Sequence, residues 1–148
     1  MRNYQQQYQY DELGNILQMK SVGQWTRDYL YETSNNRLTR HSYGAPNVYY
    51  YDAHGNMIKM PHLQEIKWDW KDQMKEVTLN ASNDKAYYVY DSSGERVRKV
   101  IEKGTITEER YYLGGYEIYR KTNSGTLEVE RESLFIEDGN KTLALVLL

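Results

Sequence analysis

The sequence has 148 residues, of which 39% are hydrophobic and 14% aromatic, and its formal net charge is −2. This length lies within the usual range of one domain, and the charge balance excludes the strongly basic footprint of a nucleic-acid-binding protein. The sequence contains no cysteine, which excludes a disulfide framework.

The first seven residues contain no apolar core of a signal peptide, so we expect no signal peptide on this chain. From residue 10 onward a six-residue phrase recurs, with lead aromatic residues 17 to 22 positions apart. Self-similarity at a period of about 20 residues indicates a repeat architecture, in which each unit stacks on the next. Three copies begin with Tyr-Asp, and two degenerate copies lie between them; the lead residues are Tyr10, Tyr31, Tyr51, Trp68 and Tyr90.

The residue types of the phrase predict a turn. Asp after the lead aromatic residue can accept hydrogen bonds from the turn's own backbone, and Gly three residues later suits the positive φ that ends the turn. In the second copy we expect Asn36 to replace this Gly, because Asn tolerates the left-handed conformation. The residues to which we assign this structural role are Tyr10, Asp11, Gly14, Asn15, Tyr31, Asn36, Tyr51, Asp52, Gly55, Asn56, Trp68, Asp69, Tyr90, Asp91 and Gly94.

The residues around each turn predict strands. Tyrosines stand two apart before the turns, as at Tyr8 and Tyr10, so each pair points to one face. The sequence has sixteen tyrosines and one phenylalanine, which indicates a half-buried face whose tyrosine hydroxyl groups contact water or hydrogen-bond partners. The expected fold class is all-β, with tandem antiparallel β-hairpins of about 20 residues forming a twisted, curled sheet. We expect residues 1–148 to form a single segment of such a sheet.

One stretch, residues 63–77, has a helical alternative because its apolar residues have roughly helical spacing. We favour strands there, since Ile66, Trp68 and Trp70 alternate and the repeat period places a turn at Lys71 to Gln73.

The last third of the chain keeps the hairpin pattern with other turn residues, at Gly114-Gly115, Asn123-Ser124-Gly125 and residues 137–140. The apolar run Leu143 to Leu148 is too short for the about 20 residues of a membrane span, so it predicts a buried strand. Because terminal repeats are normally capped, we expect the chain to be part of something longer and to self-associate through edge strands.

Candidate chemical sites are few. His41, His54 and His62 are scattered without a metal-ligand spacing, and no nucleophile or phosphate-binding motif is present. A turn role explains the repeated Asp residues without catalysis. We therefore expect no enzymatic activity, no cofactor and no metal site.

The repeated Tyr-Asp-x-x-Gly-Asn phrase resembles the YD-repeat, or Rhs, family. The stretch Arg110 to Tyr119, followed by Glu130 to Leu134, is similar to the region before the conserved core of the C component of bacterial insecticidal Tc toxin complexes. The resemblance covers essentially all of the chain.

This resemblance implies a β-sheet spiral that closes into a hollow shell around a toxic C-terminal polypeptide. The implied partners are other YD-repeat segments or toxin-complex subunits and the encapsulated toxin, with no nucleic acid and no membrane span. The implied location is secreted, or delivered as part of a bacterial toxin complex. Members of the family have an Asp-containing self-cleavage site after the shell; no such segment is found here, so we assign no catalytic residue.

A second class of function remains open. Hairpin repeats rich in Trp and Tyr also occur in cell-surface modules that bind choline or carbohydrate through aromatic cages. Trp25, Trp68 and Trp70 are not placed once per repeat, which disfavours this alternative.

Overall fold

A computed structural model describes residues 4–42, 46–139 and 141–147, and within these residues the protein has fifteen strands and no helix. The strands are β1 (Gln6–Tyr10), β2 (Ile16–Ser21), β3 (Trp25–Tyr31), β4 (Leu38–Ser42), β5 (Pro46–Val48), β6 (Tyr50–Tyr51), β7 (Met57–Lys59), β8 (Glu65–Trp68), β9 (Met74–Thr78), β10 (Lys85–Tyr90), β11 (Arg96–Lys103), β12 (Ile106–Leu113), β13 (Tyr116–Asn123), β14 (Thr126–Asp138) and β15 (Lys141–Leu147).

The strands pair with their neighbours in the chain to form antiparallel sheets, which confirms the all-β class and the tandem hairpins. The expected single curled sheet is wrong for the described residues, because the strands are divided among three open sheets. These are β1 to β5, the pair β6 and β7, and β8 to β15. The division falls where strands are short: β6 and β7 have two and three residues. Pro61 follows them and has no amide hydrogen with which to extend a ladder.

The chain falls into two compact units, Met1–Pro61 and His62–Leu148. The first unit contains the five-stranded and two-stranded sheets, and the second contains the eight-stranded sheet. Within the second unit all described strands belong to that one sheet, which is therefore a single layer. The expectation of one continuous segment over residues 1–148 stays a prediction.

The core of the eight-stranded sheet is a short cross-strand row. Ile66 lies opposite Val77, which lies opposite Ala86, and the three side chains are 3%, 2% and 1% exposed. They are the buried apolar side chains among the residues that the structure describes. The row lies on β8, β9 and β10, so residues 63–77 contain β8, a turn and most of β9, and the helical alternative is excluded. With so few apolar side chains buried, the sheet depends largely on contacts along and between its strands.

Ion pairs between strands supply part of these contacts. Lys67 and Lys85 both approach Oε1 of Glu76, at 3.2 and 2.8 Å. Further along the sheet, Lys121 Nζ lies 2.8 Å from Glu128 Oε2. Each such pair is partly exposed and contributes little by itself, but opposite charges on adjacent strands favour the observed register.

The last strand, β15, is more exposed than the sequence indicated. Among the described strands it pairs only with β14, and Leu143, Leu145 and Leu147 are 65%, 53% and 69% exposed. The prediction of a buried strand is therefore wrong for residues 143–147. An apolar composition predicts burial only where another layer or strand covers it, and no described element does so within this unit.

This exposed edge leads to a prediction of self-association. Unpaired backbone groups on an apolar edge strand favour pairing with a second chain. We expect the purified chain to self-associate, and the double change Leu145→Lys with Leu147→Lys to lower the associated fraction while circular dichroism shows unchanged β-sheet. Light scattering measures the association.

A matched control places the same two charges elsewhere, with Leu13→Lys and Leu113→Lys at exposed positions in other parts of the fold. This control is expected to associate as the unmodified chain does. A monodisperse monomer of the unmodified chain at high concentration would refute the prediction.

Candidate functional site

The repeated phrase forms one recurring turn. In the first copy, Oδ1 of Asp11 accepts hydrogen bonds from the amides of Leu13 and Asn15, at 2.9 and 2.8 Å. The Gly14 amide donates to the Asp11 carbonyl at 3.1 Å, which closes the turn. The same side-chain pattern, with N···O distances of 2.8 to 3.2 Å, recurs at Asp52, Asp69, Asn80 and Asp91. One oxygen therefore satisfies two turn amides at each of these sites.

In four of the five copies the fourth residue of the turn has a positive φ. Gly14, Gly55 and Gly94 have φ angles of 87°, 96° and 90°, which confirms their predicted conformation. In the fourth copy the position is held by Asp72, with a φ of 58°. The turn predicted at Lys71 to Gln73 is confirmed by the hydrogen bond from the Asp69 amide to the Gln73 carbonyl, 2.9 Å.

The second copy departs from the prediction. Asn36 is not among the described residues with positive φ, so its expected left-handed role is wrong. This turn is one residue longer, since the Glu32 amide reaches the Arg37 carbonyl at 2.9 Å. Asn35 supplies the side-chain acceptor, because its Oδ1 accepts a hydrogen bond from the Arg37 amide at 2.8 Å. The extra residue closes the loop without a left-handed residue at position 36.

A turn of the same kind at Asn80 was missed by the sequence analysis. Asn83, three residues later, has a φ of 62°, and the Asn80 side chain donates to Asp84 Oδ2 at 2.8 Å. In the first copy the roles are exchanged, because Asn15 donates to Asp11. The Leu79 amide donates to the Asp84 carbonyl at 2.8 Å, which closes the main chain of this turn. The signal that could have found it is Asn at both the first and fourth positions, the two residue types that accept local amides and tolerate positive φ.

The lead aromatic residue of every copy stands at a β-bulge. Pairing shifts by one residue directly before each of them, so the returning strand carries one extra residue. In the first hairpin, for example, Gln9 pairs with Gln18 but Tyr10 pairs with Ile16. A bulge increases local twist and re-aims the neighbouring side chain.

Two of these aromatic residues connect successive hairpins. The Tyr31 hydroxyl donates to the Ile16 carbonyl at 3.1 Å, and the Tyr51 hydroxyl donates to the Leu38 carbonyl at 2.9 Å. In both cases the acceptor is the first residue of the returning strand in the preceding hairpin. Burial raises the pKa of both tyrosines, so the hydroxyl stays protonated as a donor. We call these two bonds the tyrosine links.

The other lead aromatic residues are placed differently. Tyr10 is 57% exposed and its ring stacks with that of Tyr8, 6.3 Å between centroids. Tyr90 is half-buried, and its hydroxyl makes no equivalent bond within the described residues. Trp68 has no hydroxyl and lies half-buried at the end of β8.

Hydrogen bonding stabilises the charged form of Asp11, Asp52 and Asp91. The Asn15 side-chain amide holds the pKa of Asp11 below its ordinary value, and the Ser93 hydroxyl followed by the Glu95 amide does so for Asp91. For Asp52, desolvation pushes the pKa upward, but several bonds, led by the Asn56 amide, bring it below the ordinary value. These carboxylates act as structural acceptors within the turns.

A cluster of three tilted aromatic rings in the first unit was not predicted. The ring of His41 lies 6.0 Å from that of Tyr29 and 5.8 Å from that of Tyr49. Burial, and then the nearby Arg27, lower the pKa of His41. Within the described residues no group of three or more His, Asp and Glu side chains is placed to hold a metal ion. Nor does that part of the chain have a helix of the length and apolar character needed to cross a membrane.

Comparison with solved structures gives a match to the crystal structure of TcdB2-TccC3. The TM-score is 0.56 at 15% sequence identity, and the match covers 97% of this chain and 11% of that chain. No protein-family profile matches the sequence, and no curated protein matches it significantly. At this identity the likeness shows a shared fold, that of antiparallel hairpins in successive sheets.

The glycine geometry predicts that two similar substitutions differ in cost. Gly14→Ala is expected to lower the free energy of unfolding by about 1 to 3 kcal/mol through backbone strain alone, because nothing lies within 4 Å of the added Cβ. Gly55→Ala is expected to cost more, since its Cβ would lie 2.7 Å from Arg37 Nη2. The guanidinium would then move from its place over the Tyr51 ring, 5.7 Å away. Urea unfolding measures both changes.

An Arg37→Ala background separates the two contributions, because it removes the steric contact and leaves the strain. The two glycine substitutions are expected to cost the same there. Equal costs in the unmodified background would contradict the proposed contact.

The Asp91 turn predicts a specific pH dependence. Because the folded-state pKa lies below the ordinary 3.8, its contribution to stability is complete above that value and is lost as the pH falls through the lower folded pKa. Asp91→Asn retains the Oδ1 acceptor, as Asn80 shows, but cannot titrate. We expect this variant to lose less stability between pH 5 and pH 2, about the range over which such carboxylates protonate, than the unmodified chain.

Asp91→Ala is the matched comparison, since it removes the acceptor at every pH. Asp91→Ala is expected to lower the unfolding midpoint even at about pH 7, because the turn amides lose their acceptor. Asp91→Asn is expected to change the midpoint little at the same pH. Equal unfolding midpoints of the alanine and asparagine variants at neutral pH would contradict a role of the side-chain acceptor in stability.

The tyrosine links predict the effect of removing one hydroxyl. Tyr51→Phe is expected to lower the free energy of unfolding by about 1 kcal/mol, because the bond to the half-buried Leu38 carbonyl is lost. Tyr50→Phe is the control, as Tyr50 is 51% exposed and its hydroxyl makes no bond among the described residues. Chemical denaturation of both variants tests the link, and an equal effect of the two changes would contradict it.

Proposed function

We propose that this chain is a non-enzymatic segment of a YD-repeat shell, which encloses a C-terminal toxin polypeptide and keeps it inert until delivery. The observation that carries the proposal is the linkage of successive hairpins through the tyrosine links. A hydroxyl that donates to the preceding hairpin gives the second and third repeats the same relation to the repeat before them. Repeats linked in this way can be added along the chain with the same contacts between neighbours each time.

The single-layer sheet of the second unit also supports the proposal. A wall that surrounds another chain needs wide, thin sheets, and here eight consecutive strands form one layer with a core of three small or medium apolar side chains. The fold likeness to TcdB2-TccC3, a Tc toxin component, gives a solved example in which a similar fold belongs to a toxin complex. Since the match covers 11% of that chain, the enclosed toxin and the neighbouring subunits are part of the proposal.

The proposed partners are other YD-repeat segments or toxin-complex subunits and the enclosed polypeptide. The proposed location is outside the producing bacterium, where the complex is secreted or delivered. No residue of the described turns is assigned a catalytic role, because each repeated Asp already accepts two turn amides.

The alternative, a surface module that binds choline or carbohydrate, has less support from the tryptophans. Trp70 is 85% exposed, and Lys71 Nζ lies 5.1 Å from its ring centroid. Arg27 lies over the Trp25 ring at 5.4 Å. A ring face already occupied by a side-chain cation is poorly suited to receive choline.

The test is made on the complete gene product that contains this chain. Electron microscopy is expected to show hollow particles, and limited proteolysis is expected to leave a C-terminal polypeptide protected until the particles are unfolded. Solid or open particles with no protected polypeptide would overturn the proposal. Saturable binding of choline or glucan to this chain would instead support the alternative.

A further inference from the structure

Five side chains stand in directly opposite positions across β10 to β14 of the eight-stranded sheet. In order across the strands they are Tyr88, Lys99, Arg110, Tyr119 and Arg131, which we call the cationic row. Three of the five are positively charged, and none is negatively charged. Lys99 and Arg110 face each other directly, although like charges at opposite positions repel and destabilise a sheet. An anionic ligand placed over the row would pair with those of its charges that lack a counter-ion.

Two of the three charges have no counter-ion. Arg110 Nη1 lies 2.5 Å from Glu117 Oε2 and is neutralised. Lys99 forms no hydrogen bond or ion pair within the described part of the chain, and Arg131 is placed only against the ring of Tyr119, 4.9 Å from its centroid. The row therefore presents an excess of positive charge on this face of the sheet.

A shallow pocket of about 100 Å³ lies beside the row and is lined in part by Lys99, Arg110 and Tyr119. Glu108 and Glu109 also line this pocket, but each has its own counter-ion, because Lys103 Nζ lies 3.2 Å from Oε1 of Glu108 and Arg98 is ion-paired with Glu109. The pocket thus offers a recess next to the unpaired ammonium group, of a size suited to a small charged group such as a carboxylate.

The tyrosine rings of this face hold arginines in place. Arg110 and Arg131, on the strands to either side, lie 5.4 and 4.9 Å from the Tyr119 ring centroid. Arg96 lies 4.8 Å from the ring of Tyr112. Because their faces are covered by guanidinium groups, these rings are poor platforms for stacking nucleobases or sugars. A guanidinium held against a ring still presents its planar fork of donors, which matches a carboxylate.

We propose that the cationic row is a binding surface for an extended acidic peptide segment that lies across β10 to β14. Lys99 and Arg131 are three strands apart, or about 14 Å. Side chains on one face of an extended peptide repeat at about 7 Å, so carboxylates four residues apart span about 13 Å and reach both cations. The surface is assigned by its charge and geometry and does not rest on the proposed function.

The test measures binding of two fluorescein-labelled peptides to the full chain by fluorescence anisotropy. One peptide carries Glu at alternate positions, and the other carries Gln at the same positions. We expect the Glu peptide to bind, the affinity to fall with added salt, and the double change Lys99→Gln with Arg131→Gln to weaken binding about tenfold. Circular dichroism verifies that the variant is folded.

A matched control removes two exposed lysines outside the row, with Lys20→Gln and Lys75→Gln, for the same change in net charge. This control is expected to bind as the unmodified chain does. The proposal is overturned by absent binding, by equal binding of the Gln peptide, or by equal loss in the control. It is also overturned if single-stranded oligothymidylate binds more tightly than the Glu peptide at the same salt concentration.

A second measurement needs no variant. A carbodiimide couples peptide carboxylates to lysine amines that lie next to them, so the unmodified chain with the Glu peptide is expected to give a cross-link at Lys99. Mass spectrometry after digestion locates it. Cross-links at Lys20 or Lys75 in place of Lys99 would contradict the proposed surface.

Discussion

The acceptance of two turn amides by one side-chain oxygen is the interaction on which the rest of this structure depends. It recurs at Asp11, Asp52, Asp69, Asn80 and Asp91 with nearly constant distances. A residue with positive φ three positions later completes the turn. Because turn geometry fixes the register of a hairpin, this contact determines which side chains face each other along the strands that follow.

The importance of the turns follows from how little the protein buries. Three apolar side chains form the buried core of the described residues, so burial supplies a smaller share of the stability than in a two-layer domain. Local bonds and cross-strand contacts must supply the difference. The tyrosine links connect one hairpin to the next. Both Tyr31 and Tyr51, which form these links, stand at a β-bulge of their own hairpin.

Features that depend on neighbouring residues in the chain could be predicted from the sequence. The all-β class, the hairpins and the positive φ of Gly14, Gly55 and Gly94 follow from residue types within each phrase. The role of Asn36 was mispredicted because a single inserted residue changed how the loop closes. Asn80 was missed because Asn replaces Asp there, although both side chains offer the same acceptor.

Features that depend on distant residues could not be read from the pattern. Division into three sheets reflects where short strands stop pairing, and the exposure of β15 reflects the lack of a second neighbour among the described strands. The acceptors of the tyrosine hydroxyls are main-chain carbonyls, which carry no signature in the sequence. The same is true of the opposition of Lys99 and Arg110, which requires the register of β11 and β12.

Native-state hydrogen exchange of the turn amides tests the central claim most directly. The amides two and four residues after each acceptor are bonded to its side chain, whereas the amide directly after it donates to no partner within the described residues. After correction for intrinsic rates, we expect the bonded amides to exchange about tenfold more slowly, or slower still. The pattern should recur in all five turns, at residues 13 and 15, 54 and 56, 71 and 73, 82 and 84, and 93 and 95. Exchange of these amides at the rate of residues 12, 53, 70, 81 and 92 would contradict the account.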